Sequence, residues 1–332
     1  AMGAEGAGFV GQFTADGSGH FNSGTVDANV QGQTFSTTMS GTYSITDTAH
    51  GRGTATITVN TSPQSVFNFQ MYVGGGSLFM VSTDPDQAFR AEGTPQAAGP
   101  FSNVSLNGDY AMIGGSSLDM AGGDTFGGQF NANGAGAWAN GVIDLFRTGK
   151  PIVFGDPLSA NYNVSDGSRG RFTAAETPQG GTTDNIVFYT VSNNRAILVD
   201  LDSPSGAIGE FQKSTAGPYT KASLNGNYSF VLQGCPLSDT YCTGDYTQTG
   251  VFTADGNGNV TISTDTNNDG SVHSYLLVSG SYVVGDNGSD GGLITSGTGK
   301  IRFYFIDGSH LYLEDGDASP TRRVIGEATK QN

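Results

Sequence analysis

In the run "KIRFYFI", Ile301, Phe303 and Phe305 fall on one side of an extended strand, with Arg302 and Tyr304 on the other. Successive side chains of a strand point to opposite faces, so this two-residue period predicts a strand with one buried face. The same period runs through "LNGNYSFVL", "TQTGVFTAD", "VTISTD" and "SYLLVSGSYVV", each bounded by Gly, Asn, Asp or Ser. "GLITSGTG", "HLYLED" and "RRVIGEA" bring this part of the chain to about eight short strands. Tight turns between them predict sequential antiparallel pairing. No stretch sustains a helical period. The pattern predicts an all-β protein whose meanders close into barrels, or fold into sandwiches, to remove exposed sheet edges.

The pattern also repeats. "FTADGNGNV" from Phe252 restates "FTADGSGHF" from Phe13 and "FNANGAGAW" from Phe130. "AGPFSNVSLNGDYA" from Ala98 returns as "AGPYTKASLNGNYS" from Ala216, and "SGTYSI" around Tyr43 answers "SANYNV" around Tyr162 and "SGSYVV" around Tyr282. A period of roughly 120 residues predicts three tandem modules. Their bounds are 1–98, 99–216 and 217–332, with Gly-Pro at Gly99-Pro100 and Gly217-Pro218. The Asp-Gly and Asn-Gly tips need only a structural reason. Gly takes positive φ without strain, and Asp or Asn bonds back to the backbone that follows.

The first module is short. Modules two and three open with "SLNGDYAMI" and "SLNGNYSFV", whereas only "AMGAEGAGFVGQ" precedes Phe13. A first strand is missing, which predicts unpaired backbone and an open core. Three fillers are open: chain upstream of a trimmed start, closure without the strand, or a strand from another copy. The third would make a head-to-tail homopolymer. Ala1, Gly8, Phe9, Val10 and Phe13 are the candidate assembly residues, because the terminal "GEATKQN" carries no spare strand to donate.

Composition narrows the class. Net charge is −16, with only 14 Lys and Arg, which disfavours nucleic acid and anionic membrane surfaces. No apolar run reaches the ~18 residues of a membrane helix, so no membrane insertion is expected. Aromatics at 10% and Gly at 52 residues describe a folded, turn-rich chain. Cys235 and Cys242 frame "CPLSDTYC", which reads as one loop disulfide in an oxidising, extracellular or cell-surface setting, or else as a pair of free thiols.

The order "LNGxY", "FTADGNGN", "SGTYS" and "GRGT" resembles repeat modules of secreted or surface proteins from environmental, notably acidobacterial, bacteria. Leu-x-Gly-x-Tyr followed by Phe-x-x-Asp-Gly and Gly-x-Tyr is also similar to small lipocalin-like barrels. The resemblance implies export and a barrel-like module. It implies no activity.

Chemistry is sparse. Asp265, Asn267, Asp269 and Gly270 match the first half of an EF-hand-type loop, with Ser271 offering a carbonyl, so Ca²⁺ is the candidate cation. Leu276 stands where the loop needs a bidentate Glu. The pairs Asp84/Asp86, Asp200/Asp202 and Asp315/Asp317 each follow a strand near a Pro and read as turn formers. The four His carry no nucleophile or metal motif, and Trp138 stands where module three has Val260. The expectation is a non-enzymatic, extracellular structural protein that needs no cofactor and polymerises by strand complementation of the open module. A lipocalin-like carrier of a small ligand or glycan is the alternative.

Overall fold

A computed structural model describes residues 7–85, 90–116, 124–147, 151–178, 183–203, 206–215, 217–236, 246–268, 270–285, 290–297, 299–317 and 322–331, with the backbone alone at 235, 236 and 276. The architecture is all-β throughout: an open seven-stranded half-barrel followed by two closed eight-stranded antiparallel barrels.

The first sheet runs β1 (Ala7–Ala15), β2 (His20–Val30), β3 (Gln33–Asp47), β4 (Arg52–Val59), β5 (Ser65–Gly74), β6 (Ser77–Ser82) and β7 (Arg90–Gly93). The second barrel holds β8 (Asn107–Gly115), β9 (Thr125–Asn133), β10 (Ala137–Phe146) and β11 (Val153–Asp166). It continues with β12 (Arg171–Pro178), β13 (Asp184–Ser192), β14 (Arg195–Asp200) and β15 (Ile208–Lys213). The third holds β16 (Asn225–Pro236), β17 (Tyr246–Asp255), β18 (Asn259–Asn268) and β19 (Ser271–Val284). It ends with β20 (Gly291–Ser296), β21 (Gly299–Phe305), β22 (His310–Asp315) and β23 (Arg322–Lys330). Neighbours in sequence are neighbours in space, and β15 with β8, then β16 with β23, close the two barrels.

The thrice-repeated tip is a hairpin turn. Asp16 Oδ1 accepts from the N–H groups of Ser18 and His20 at 2.7 and 2.9 Å. Asn133 does the same for Ala135 and Ala137, and Asp255 for Asn257 and Asn259. The following glycines, Gly17, Gly134 and Gly256, sit at φ of +75, +72 and +75°, where a side chain would be strained.

Aromatic residues fill the second barrel. Phe130 stacks on Trp138 at 4.1 Å between centroids, Phe172 on Phe188 at 5.0 Å, and Phe211 packs edge-on against Phe130, Trp138 and Phe188. Each ring is buried, so Trp138 belongs to the core. The third barrel is built on Tyr228, Phe252, Tyr282, Phe303 and Phe305. The buried cluster inside the half-barrel is Phe21, Ala55, Phe69, Met71 and Met80 among the described residues.

Candidate assembly surfaces

The unfinished sheet exposes two edges. β8 and β16, the strands carrying Leu-Asn-Gly-x-Tyr, open their barrels and each join the second strand to the last. The half-barrel has no counterpart among its described residues, so β1 and β7 each pair on one side only. The short turn before each joining strand matters as well. Tyr162 donates its hydroxyl to the carbonyls of Asn103 and Leu106, and Tyr282 to those of Lys221 and Leu224. Leu106 and Leu224 are buried as plugs in the barrel mouths. Tyr43, at the same module position, is half-buried, with no such leucine beneath it among the described residues. Phe13 is likewise half-buried, whereas Phe130 and Phe252 are buried under Tyr110 and Tyr228.

The candidate assembly residues divide between two surfaces. Phe9 turns inward, edge-on to Phe35 and Phe67, and Phe13 packs on Phe21. Gly8 and Val10 turn outward onto the second barrel, Val10 lying with Val187, Tyr189 and Val199. β1 is paired with β2 from Ala7 to Ala15 in its own sheet, and Ala1 lies outside the described residues.

Successive modules dock through a repeated Asp–Tyr contact, with an arginine supplied from a different position at each junction. Asp27 on β2 takes a two-pronged ion pair from Arg171, at 2.8 and 2.6 Å, and a hydrogen bond from the Tyr189 hydroxyl at 2.6 Å. Asn29, two residues on, donates to the carbonyls of Asp200 and Ser203 at 2.9 and 2.6 Å. At the next junction Asp144 on β10 accepts from Tyr304 and lies 3.1 Å from Arg302. The strand registers make Asp144 the counterpart of Asp27, and Tyr304 that of Tyr189. Gly127, opposite, leaves no room for a side chain: a Cβ there would lie 2.5 Å from Tyr304 and from Glu314. Tyr312 donates to Glu210 at 2.7 Å, and Arg195 closes that pair at 2.8 Å.

Burial sets the electrostatics. Desolvation pushes the Asp27 carboxyl up, but the Arg171 and Tyr189 hydrogen bonds outweigh it and hold it below its usual value. Burial, reinforced by Asp27, raises the Tyr189 hydroxyl. Glu314 is driven well above its usual value by burial and then by Asp144. A further acidic group closes one end of the second barrel. Glu176 is pushed up to about 8 by burial and by Asp200 and Asp184, and Asp200 up to about 7 by burial and Asp184. Arg147 pairs with Asp184 there.

The sequence-derived cation candidates lie on a plain hairpin. Asp265 and Asn267 are alternate exposed residues of β18, and Ser271 opens β19. Asp269 lies outside the described residues. Asp265 accepts from the Ser274 hydroxyl, and Asn267 Oδ1 from the Gly270 N–H at 3.0 Å. Asn29 Oδ1 makes the same bond to Gly32 at 2.9 Å. Asp265 and Asn267 thus occupy the places of Asp27 and Asn29. Among the described residues no group of three His, Cys, Asp or Glu is arranged to hold a metal ion. The Cys235–Cys242 pairing lies outside the described side chains.

The other described acidic candidates serve turns, and Asp86 lies outside the described residues. Asp84 caps Asn68, Asp202 caps Asn185, and Asp315 accepts from Asp317 N–H. His20, His50 and His310 each pair with an Asp three or four residues away, exposed at a hairpin tip. The junction residues Asp27, Tyr189 and Asp144 were not singled out from sequence, and Tyr304 was read there only as lying on the strand face opposite Phe303. Their signal was present: Asp27, Asp144 and Asp265 recur at one module position, and Tyr72, Tyr189 and Tyr304 at another.

No family model matches the chain, and no curated protein matches it. Among solved structures, the chain has a distant likeness to a protein of unknown function from the DUF3598 family of Nostoc punctiforme. That match is 10% identical, covers 69% of this chain and 97% of that one, and has a TM-score of 0.20.

Proposed function

We propose that this chain is a structural subunit of an extracellular filament or matrix, assembled when its open first module receives a strand. The observation that carries this reading is the pair of free edges, β1 and β7, flanking the place that β8 and β16 fill in the complete barrels. A strand with the pattern Leu-Asn-Gly-x-Tyr fits that place: its Tyr would cover Phe13, and its Leu would plug the mouth under Tyr43. Backbone pairing on both sides gives such a complement its affinity, and the alternate side chains give it selectivity. The acidic surface and the resemblance to exported repeat modules support an extracellular setting. No cation is required by this reading. Ligand carriage inside the barrels has the filled aromatic interior of the second barrel against it.

Negative-stain electron microscopy of the chain beside a version with a Ser-Leu-Asn-Gly-Asp-Tyr-Ala-Met-Ile strand fused ahead of residue 1 tests this. Filaments formed by the first and abolished in the second support complementation. Compact single particles from both overturn it.

A further inference from the structure

The two junctions inside the chain share one head-to-tail contact, Tyr189 to Asp27 and Tyr304 to Asp144, and the outer faces of the first and third modules carry exposed counterparts of its two halves. At the first end, Tyr72 stands where Tyr189 and Tyr304 stand, because Arg52 pairs with Tyr72 as Arg171 pairs with Tyr189. Phe79 and Val81 on β6 correspond to Ile197 and Val199 on β14. Val199 is fully buried by the preceding module, whereas Val81 is 55% exposed, Phe79 48% and Tyr72 44%. Arg52, the counterpart of the Arg171 that grips Asp27, is exposed and donates to Gln70.

At the other end, β16, β17 and β18 present the opposite half. Asp265 and Asn267 repeat Asp27 and Asn29, with the same two-residue spacing and the same turn glycine. Val231 on β16 corresponds to Ile113 on β8, which packs with Tyr304 and Tyr312 at the second junction. Ile113 is buried there, and Val231 is 48% exposed. An apolar outward row on a sheet, rimmed by charges that have buried counterparts elsewhere in the same molecule, is an interface lacking its partner.

We infer that the occupant of the Tyr72–Phe79–Val81 face is a second copy of this chain, docking through Asp265, Asn267 and Val231 of its third barrel. Asp265 takes the Arg52 and Tyr72 donors, as Asp27 takes those of Arg171 and Tyr189. Asn267 bonds the carbonyl of Ser82, as Asn29 bonds that of Asp200. Val231 lies on Phe79, as Ile113 lies on Tyr312. Such a contact is heterologous, so each added copy leaves the same two halves free and the row continues. The inference rests on the assembly reading only in naming a homopolymer. Its surfaces are the outer faces of β5, β6 and β16–β18, not the gap between β1 and β7.

The test is sedimentation velocity of the full chain from about 1 to 300 µM, the range in which a modest interface of this kind associates. It is run with Val81→Asp, which blocks the first face, with Asp265→Arg, which blocks the other, and with an equimolar mixture of the two. The expected result is concentration-dependent growth of the unaltered chain, monomers for each variant alone, and dimers and no larger species in the mixture. The two variants retain one intact face each, so recovery in the mixture also shows that both are folded. A second series adds a synthetic peptide of residues 102–115 to fill the gap. Growth that survives the peptide supports docking by faces. Growth stopped by the peptide and indifferent to both substitutions overturns this inference and leaves strand complementation standing. A monomer at every concentration, with and without peptide, overturns it outright.

Discussion

Tyr43, Tyr162 and Tyr282 occupy one module position in two environments, and the difference between them is a hydrogen bond. The hydroxyls of Tyr162 and Tyr282 each hold the turn that precedes the joining strand, whereas that of Tyr43 has no protein partner among the described residues. A buried carbonyl that loses its donor costs about 1–3 kcal/mol. Tyr162→Phe and Tyr282→Phe are therefore expected to destabilise their barrels by ~1–2 kcal/mol, and Tyr43→Phe to change stability by under ~0.5 kcal/mol, read by urea unfolding. The repeat made these tyrosines legible in the sequence. Their bonds were not, because the acceptors lie about 60 residues away along the chain. The acidic group at the end of the second barrel acts at the same scale. Glu176 and Asp200 hold their protons more tightly folded than unfolded, so their contribution is complete below about pH 4 and is lost as pH rises through about 7 to 8. Asp27 has the opposite sign: its carboxyl is held below 3.8, so its contribution is present above that value and lost as pH falls further. Calorimetry is expected to show the second barrel melting several degrees lower at about pH 9 than at about pH 5, with Glu176→Gln flattening that slope.

At the scale of the strand, alternation told which residues share a face but not whether the outer face meets water. Arg302 and Tyr304 were assigned to the face opposite Phe303, and there they are. That face is buried all the same, against the second barrel. Period-two patterns fix phase within one sheet, whereas burial between sheets depends on a neighbour that the local sequence does not describe. The gap between β1 and β7 was easier to read than hidden contacts, because the module repeat showed which strand, Leu-Asn-Gly-x-Tyr, fills that place in the other two modules. The strand at that gap carries its own consequence. Among the described residues β7 is paired only to β6, whereas β15, its counterpart, is held on both sides by β14 and β8. Amide exchange follows local opening, and singly paired edges open most easily. Backbone amides of β7 are expected to exchange at least ~100-fold faster than those of β15, and the peptide of residues 102–115 is expected to close much of that difference. Equal protection of the two strands would mean the edge is already covered.

At the scale of the molecule, the half-barrel's small core raises the question of what keeps it folded. Its buried cluster is a fraction of that in the second barrel, and its open side leaves Phe13 and Tyr43 only half covered. What it has in compensation is its seat on the second barrel, where Val10 is buried and Asp27 is held by Arg171 and Tyr189. A carboxylate this deeply buried stabilises only while its partners remain, since an unpaired buried charge costs about 3–5 kcal/mol. The half-barrel should therefore borrow its stability through the junction and unfold with the second barrel as one unit. Asp27→Ala is expected to split that transition, with the half-barrel melting first. A double-mutant cycle with Arg171→Met is expected to give a coupling energy of ~2–3 kcal/mol between the two positions. Strictly additive effects, within about 0.5 kcal/mol, would show that the modules merely touch there and that the half-barrel stands by its own core. A measured coupling would make the junction an energetic contact. Its exposed halves at the two ends of the chain would then have an affinity calibrated from inside the molecule itself.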